Sequence, residues 1–411
     1  MLINAKKQSM SQVILFDGEA RENLLPLTHL KPVCDLRIGL LTIREKWSHY
    51  MGFPVSVVTQ DYLSELYPLE YDVENYVING AVLPSDALVA LIRQMDINEA
   101  FLHEDQLVVA KLDQKQLRKL IDDEAIEELD AQDLQDTPFL KISSLTDLIL
   151  LNEAAIIDDF RLLSKMRKSM PLPPGNTLIG PADKLFIEVG ASIQGSYLNT
   201  TTGPIYLSRN SSILEGCFIR GPFALGENSI LRMGTKIYGP FATGPFCKIG
   251  GEIESSLFQG YSNKSYEGYL GHSIIGNWCN LGAGTQAASV QHTYDEIEMW
   301  NEGDEQFILT GTQSMGAVLG DHTKTANGTV FTPGSVTGIC ANTITPGIAP
   351  RFIPSFAASE NGQVGITFLP ENAFRAAEQM MTRRQADLSF QQRLLLLKIF
   401  EITSDQRPWE K

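Results

Sequence analysis

The stretch Ser262–Thr285, SNKSYEGYLGHSIIGNWCNLGAGT, concentrates side chains that can hold or move protons. His272 has the reference pKa of about 6.5 that suits a general base near neutral pH. Tyr266 and Tyr269 carry phenols with a reference pKa near 10, so presenting phenolate at pH 7 costs about 4 kcal/mol. Lys264 is the nearest cation in sequence to lower that cost at Tyr266. Asn280 and the small residues Gly282, Ala283 and Gly284 belong to the same polar stretch. These types line a polar site where a proton could move. The competing reading is ordinary turn residues with a structural histidine.

The elements around this stretch count in sixes. Stepping from Val189 gives Val189, Gly195, Thr201, Leu207, Ile213, Ile219, Leu225, Leu231, Ile237, Thr243 and Ile249. Small residues recur four places on, at Ser211, Ser229 and Thr235. A period of 3.6 cannot hold this phase; short strands separated by turns can, in a parallel β-helix built from hexapeptides. GPFA occurs at 221–224 and again at 239–242, one triangular coil apart, so Phe223 and Phe241 are expected to stack. Ile275 and Leu281 share a later phase, and Leu319, Thr325 and Phe331 another, with Thr323, Thr329 and Ser335 four places on. Insertions are expected at 255–272 and 286–314, looping out from one face. Residues 370–403 read as a helix that caps or crosses the coils.

Before the repeat, strand and helix alternate. VILF (13–16), PVSVVT and YVIN read as strands, and EAFLHEDQLVVAKL as two strands around a polar turn. DLRIGLLTIREKWSHY reads as one amphipathic helix. Ser85 is a cap for DALVALIRQM, and Ser144 with Asp147 for a helix reaching about Met166. The acidic run 113–136 reads as a solvated helical face or excursion rather than a functional acidic tail. A small, mostly parallel sheet with helices follows. Pro-Pro-Gly within 170–177 marks a boundary. The expected organisation is a tail over 1–12 with Met10 as a second start, an α/β domain over 13–172, a β-helix over 177–360 and a helical segment over 368–411.

The net charge of −16 argues against a nucleic-acid partner, though local Lys and Arg residues can still hold a phosphate. No apolar run is long enough to span a bilayer, and the start lacks a signal-peptide pattern. Cys34, Cys217, Cys247, Cys279 and Cys340 are widely spaced without a C-x-x-C pair, as expected of reduced thiols in a cytoplasmic protein.

The hexapeptide phase together with YLGHSIIGNWCNLGAGT resembles the bifunctional UDP-N-acetylglucosamine diphosphorylase/glucosamine-1-phosphate N-acetyltransferase family. The first half, ILFDGEARENLLPLTHLKPVCDLRIGLLTIREKW, is similar to the short variant of Bacteroidetes-type bacteria. The resemblance covers nearly the whole chain. It implies a left-handed β-helix after an α/β nucleotidyltransferase-like domain, in a homotrimer. It also implies acetyl-CoA, Mg²⁺, a sugar phosphate and a nucleoside triphosphate as ligands of a transferase in cell-wall precursor supply. By this resemblance Asn280 and Ala283 face acetyl-CoA and Tyr269 the sugar phosphate, with Lys264 and Lys248 as the nearby cations. Tyr266 stands at the family's catalytic histidine, and His272 is the candidate substitute. The family's sugar-phosphate arginine has no counterpart; Lys248 alone is offered there. The phosphate cradle G-x-G-T-R appears as Asp17-Gly18-Glu19-Ala20-Arg21, keeping only the arginine, and Lys31-Pro32 resembles the later Lys-Pro element. The metal-binding Gly-Asp appears as Gly80-Ala81, with Asp86 as a replacement carboxylate or a helix cap. Two rival readings are a nucleotidyltransferase whose β-helix only assembles the oligomer, and a non-catalytic sugar-nucleotide-binding scaffold.

Overall fold

The computed structural model describes residues 11–122, 128–134 and 137–410. The expected tail lies, up to residue 10, outside the described residues, as do parts of the acidic run. The chain forms two compact units. The first holds residues up to Arg21, Lys31–Leu36 and Thr42–Ser143. The second holds Glu22–Leu30, Arg37–Leu41 and everything from Ser144 onward. Helices α4 (Leu145–Leu150) and α5 (Asn152–Ser164) therefore group with the repeat, upstream of the Pro-Pro-Gly segment.

The first unit is built on strands β1 (Gln12–Phe16), β2 (Val55–Val58), β3 (Glu74–Asn79), β4 (Glu99–His103), β5 (Gln106–Asp113) and β6 (Asp130–Asp133). Their order in the sheet is β2-β1-β3-β5-β4-β6. β1 pairs parallel with β2 and β3, as the alternating pattern predicts. The β4–β5 hairpin turns on Glu104 and Asp105, both left-handed; β5 runs antiparallel to β3 and β4, while the other three pairings are parallel, so the sheet is mostly parallel as expected. The expected long helix over 35–50 is shorter: α1 spans Ile43–Met51 and starts at a Thr42–Glu45 capping box. Gly39 lies at φ +71, where a Cβ would meet the Asp159 carboxylate at 2.6 Å. In the second unit, Asn152 and Asp159 on α5 accept from the amides of Gly39, Leu40 and Leu41. Those bonds draw 39–41 away from a helical path. Helices α2 (Asp86–Ile92), capped by Ser85, and α3 (Gln114–Ile121) complete the unit.

The second unit is a left-handed parallel β-helix of hexapeptide type. Among the described residues, face 1, which begins with the strand at 177–179, and face 2, which begins with the strand at 185–187, each carry nine strands. Face 3 begins with five and continues through bridges Asn263↔Asn280↔Lys324↔Asn342. The sixfold phase is the inward phase: Leu207 through Ile249 are buried at every step. Phe223 and Phe241 sit in register and stack with centroids 6.0 Å apart, and Phe258 extends the ladder edge-on. The small residues satisfy the corners. Ser229 Oγ accepts from the Cys247 amide and donates to the Gly244 carbonyl one coil on. The phase fails at its start, where Val189 is 70% exposed.

The expected insertion at 255–272 is instead a regular coil with strands at 257–260, 263–264 and 269–271. It looked inserted because the coils there shorten. Register partners lie 18 apart at Phe218↔Lys236, then 16 and 17 apart at Lys236↔Glu252↔Tyr269. The later excursion does leave the coils, between face 1 at 286–287 and face 2 at 318–319, and holds a hairpin over 298–309. The single helix expected over 370–403 is instead two, α6 (Pro370–Thr382) and α7 (Phe390–Ile402), the second starting at a Ser389–Gln392 capping box; they pack on the coils, with Phe400 edge-on to Phe356 and Arg384 bonded to Asn263. Among the described residues no helix is long and apolar enough to cross a membrane.

Truncating the interior ladder at Phe241→Ala is expected to cost about 3–5 kcal/mol. Phe218→Ala, which removes an outward ring stacked on Tyr197, is expected to cost about 1 kcal/mol. Chemical denaturation midpoints check this, and equal losses would contradict the inward assignment.

Candidate functional site

The coil at 252–271 builds one polar cluster on the outside of face 1. Tyr269 points outward because its neighbour Leu270 is inward and buried. Its phenol donates to Glu254 Oε2 at 2.7 Å, across to the preceding coil. The ring lies over Gly271, where a Cβ would meet the phenol oxygen at 2.4 Å, so a larger residue there would displace the Tyr269 ring. Burial, then the Glu254 bond, push the Tyr269 phenol up to about 12, which keeps it a hydrogen-bond donor.

His272 follows at the corner from face 1 to face 2, with φ +44. Its amide donates to the Glu254 carbonyl at 3.0 Å, and its carbonyl accepts from Gly316 at 2.9 Å, at the end of the excursion. The backbone is thus pinned from two sides. The imidazole Nδ1 is buried with no hydrogen-bond partner. Burial lowers the His272 pKa below its ordinary value, against the opposing pull of Glu254. At pH 7 the ring is neutral and carries a free basic nitrogen, the state a general base requires. Glu254 escaped the sequence reading because it lies 15 residues before Tyr269, out of step with the sixfold count.

The other expected site residues are distributed. Tyr266 sits at the corner from face 3 to face 1, at the opposite end of strand 269–271 from His272, and is 58% exposed. Lys264 is inside the β-helix, in register with Ile249, and 1% exposed. Its ammonium donates to the carbonyls of Gly250 and Tyr266, not to the Tyr266 phenol. The expectation that Lys264 activates that phenol or meets substrate is corrected by this placement. Ala283 stacks one coil above the Tyr266 corner, but its amide donates to Asn327 Oδ1. The amides of Gly282 and Gly284 are taken by Thr325 Oγ1 and the Glu267 carbonyl, so this turn offers no free oxyanion donor. Asn280 is exposed on face 3, where Asn263 donates to it, and Lys248 stands in the same register ladder.

In the first unit Arg21 is not free to meet a triphosphate. It pairs with Asp17 at 2.6 Å and donates to the Tyr62 phenol and the Lys31 carbonyl. Asp17 also accepts from the Val33 amide and the Thr59 hydroxyl. The Asp17 carboxylate is thus consumed in a buried knot at the ends of β1 and β2. Lys31 is buried, and Glu19 is exposed and accepts from Gln106. Gly80 closes a turn by donating to the Phe16 carbonyl. Asp86 lies exposed in the first turn of α2, favourable against the helix dipole. Among the described residues no three His, Cys, Asp or Glu side chains converge to hold a metal ion.

Residues 13–168 match the profile of the sugar nucleotidyl transferase family. This region of the chain is thus similar to sugar nucleotidyl transferases. No curated protein matches the chain. Among solved structures, it is similar to the polySia-specific acetyltransferase NeuO, at 11% identity over 51% of this chain and 94% of that one, with a TM-score of 0.27. A putative acetyltransferase of Bacillus cereus aligns at 14% identity over 53% of this chain and 99% of that one, with a TM-score of 0.24.

Burial lowers the Lys264 pKa from 10.5 to about 8. The unfolded chain therefore binds more protons between those values, so folding stability rises as pH climbs from about 8 to above 10. The destabilisation is fully present below pH 8 and is of the order of 3 kcal/mol. Lys264→Met is expected to remove this rise and to be neutral or stabilising at pH 7. Denaturation midpoints of both proteins across pH 7–10 test it; parallel profiles would place the lysine in solvent.

Proposed function

We propose that the chain is a sugar-phosphate transferase of amino-sugar nucleotide synthesis, acting in the cytoplasm on the supply of a cell-wall precursor. The β-helix would transfer acetyl from acetyl-CoA to the amine of an amino sugar phosphate. The observation that carries this reading is His272: neutral at pH 7, pinned by its backbone, and left with an unpartnered buried nitrogen. In the proposed step the sugar nitrogen attacks the thioester carbonyl. His272 takes the proton lost from that nitrogen, the C–S bond breaks, and the proton passes to the departing thiolate of CoA. Tyr269, held by Glu254, presents its phenol edge to the sugar. Asn280 is the exposed amide available to the acyl donor. The oxyanion donors are not those of Gly282–Thr285, which are already bonded. Association into a homotrimer would set such sites beside a neighbouring subunit, and light scattering at micromolar concentration should give three times the mass of 45.5 kDa.

The similarity of residues 13–168 to sugar nucleotidyl transferases supports a nucleotide and a sugar phosphate as ligands of the first unit. The residues present do not fit the Mg²⁺ that such transfer uses, since Asp17 is consumed and Gly80-Ala81 carries no carboxylate. We therefore expect calorimetry with uridine triphosphate and Mg²⁺ to give weak binding; submicromolar affinity would overturn this part.

Acetylation of glucosamine 1-phosphate tests the first part. His272→Ala should lower the rate by about 10²–10⁴-fold, while Tyr266→Phe changes it little. The rate should fall only on an acid limb below pH 6.5, following the lowered His272 value. A tenfold gain in Tyr266→His would instead mean that the wild-type site lacks its base. No acetylation by any of these proteins would leave the β-helix a scaffold.

A further inference from the structure

Face 3 carries a group of cations that the proposed transfer does not use. The outward residues in one register ladder are Ser192, Ser212, Ile230, Lys248, Asn263, Asn280, Lys324 and Asn342. No carboxylate occurs along it, in a chain whose net charge is −16. Arg232 follows the strand at Ile230–Leu231, and Arg383 and Arg384 follow α6. Arg384 reaches the ladder directly, with Nη2 donating to Asn263 Oδ1 at 2.7 Å and Nε donating to the Phe246 carbonyl. Asn263 in turn donates to Asn280 at 3.2 Å.

Four positive charges are thereby gathered from two coils and the end of a helix. Among the described residues, none of Arg232, Lys248, Arg383 and Arg384 forms an ion pair. Their mutual closeness is felt: burial, then the fields of Arg384, Arg232 and Arg383, lower the Lys248 pKa. Burial, with a further contribution from Arg383, lowers that of Arg384. Like charges held together without a counter-ion repel, and 49 Asp and Glu residues were available to neutralise them. An arrangement of this kind is relieved by an anion from solution, and a guanidinium fork beside an ammonium suits the oxygens of phosphate.

We propose that face 3, at Lys248, Arg384, Arg383 and Arg232 with the side-chain amide of Asn263, binds the phosphate or diphosphate group of a small ligand. The strongly negative net charge disfavours long polyanions such as nucleic acid, which restricts the ligand to a small molecule. The inference stands on the geometry of this face and holds whether or not acetyl is transferred at His272.

Inorganic pyrophosphate, titrated without Mg²⁺ into the full chain by calorimetry at two ionic strengths, tests it. Binding that weakens with salt is expected. The double variant Lys248→Met with Arg232→Gln should weaken it by about tenfold or more; neither side chain makes a hydrogen bond that holds the fold, and Arg384 stays in place. Arg384→Gln should weaken it as well. His272→Ala should bind pyrophosphate as the wild type does, so loss of acetylation and loss of this site are separable. Absence of binding to the wild type would overturn the proposal. So would unchanged binding in the double variant, which would assign the signal to another part of the chain.

Discussion

Successive coils of a parallel β-helix must exchange backbone hydrogen bonds in register, and this requirement governs every side chain in the second unit. It makes a coil residue's spatial neighbour the one a coil away, 15 to 21 positions along the chain, or 44 where the excursion intervenes. It also fixes which residues face inward, because side chains alternate along each short strand. At the corner from face 2 to face 3 the chain turns through a left-handed residue in coil after coil: Asn210, Asn228, Phe246, Tyr261, Trp278, His322, Cys340 and Phe356. Asparagine takes that conformation readily, whereas large rings rarely do. The rings offset the strain by stacking on one another, with Tyr261 and Trp278 only 4.3 Å apart.

Much of this was legible because the inward phase is written in residue type. Leu and Ile at every sixth position from 207 to 237 locate the core ladder, and the two GPFA segments locate a stacked pair of rings. The count of six loses its hold where coils shorten to 16 and 17 residues. That is the segment misread as an insertion, and it is also the segment that holds the polar cluster. A shift of one residue exchanges inside for outside, so Lys264 reads as a surface cation although its register partner is Ile249. Tyr269 and His272 were recognisable by type. Glu254, Asn263 and Arg384 were not, because each meets its partners only through the stacking of coils or the return of the C-terminal helices.

In the first unit the sequence pattern and the structure part company for a different reason. Asp17 and Arg21 occupy positions whose side chains resemble ligand-binding groups, yet each is spent on the fold. A buried ion pair is costly unless its remaining hydrogen-bonding capacity is met, and here the Val33 amide, the Thr59 hydroxyl and the Tyr62 phenol meet it. Residue type alone does not separate a guanidinium reserved for phosphate from one that closes a loop. The same economy appears in the second unit, where buried Glu302 accepts from His29 and Gln406 and ties the excursion to two distant segments. That tie bears on function, since the same excursion supplies the amide of Gly316 that pins His272.

Lys248 and Lys264 bring these constraints together. They are 16 residues apart, lie in neighbouring strands of face 3 and are chemically identical. Lys264 faces inward, and two backbone carbonyls take its protons, so its charge is spoken for within the fold. Lys248 faces outward, where its nearest charged company is three arginines. Burial disfavours the charged form of both, but only at Lys248 is relief open to a ligand, because an anion can reach an outward ammonium and cannot enter a closely packed coil. The length of one coil, a residue more or less, therefore decides which lysine stabilises a turn and which can take part in binding.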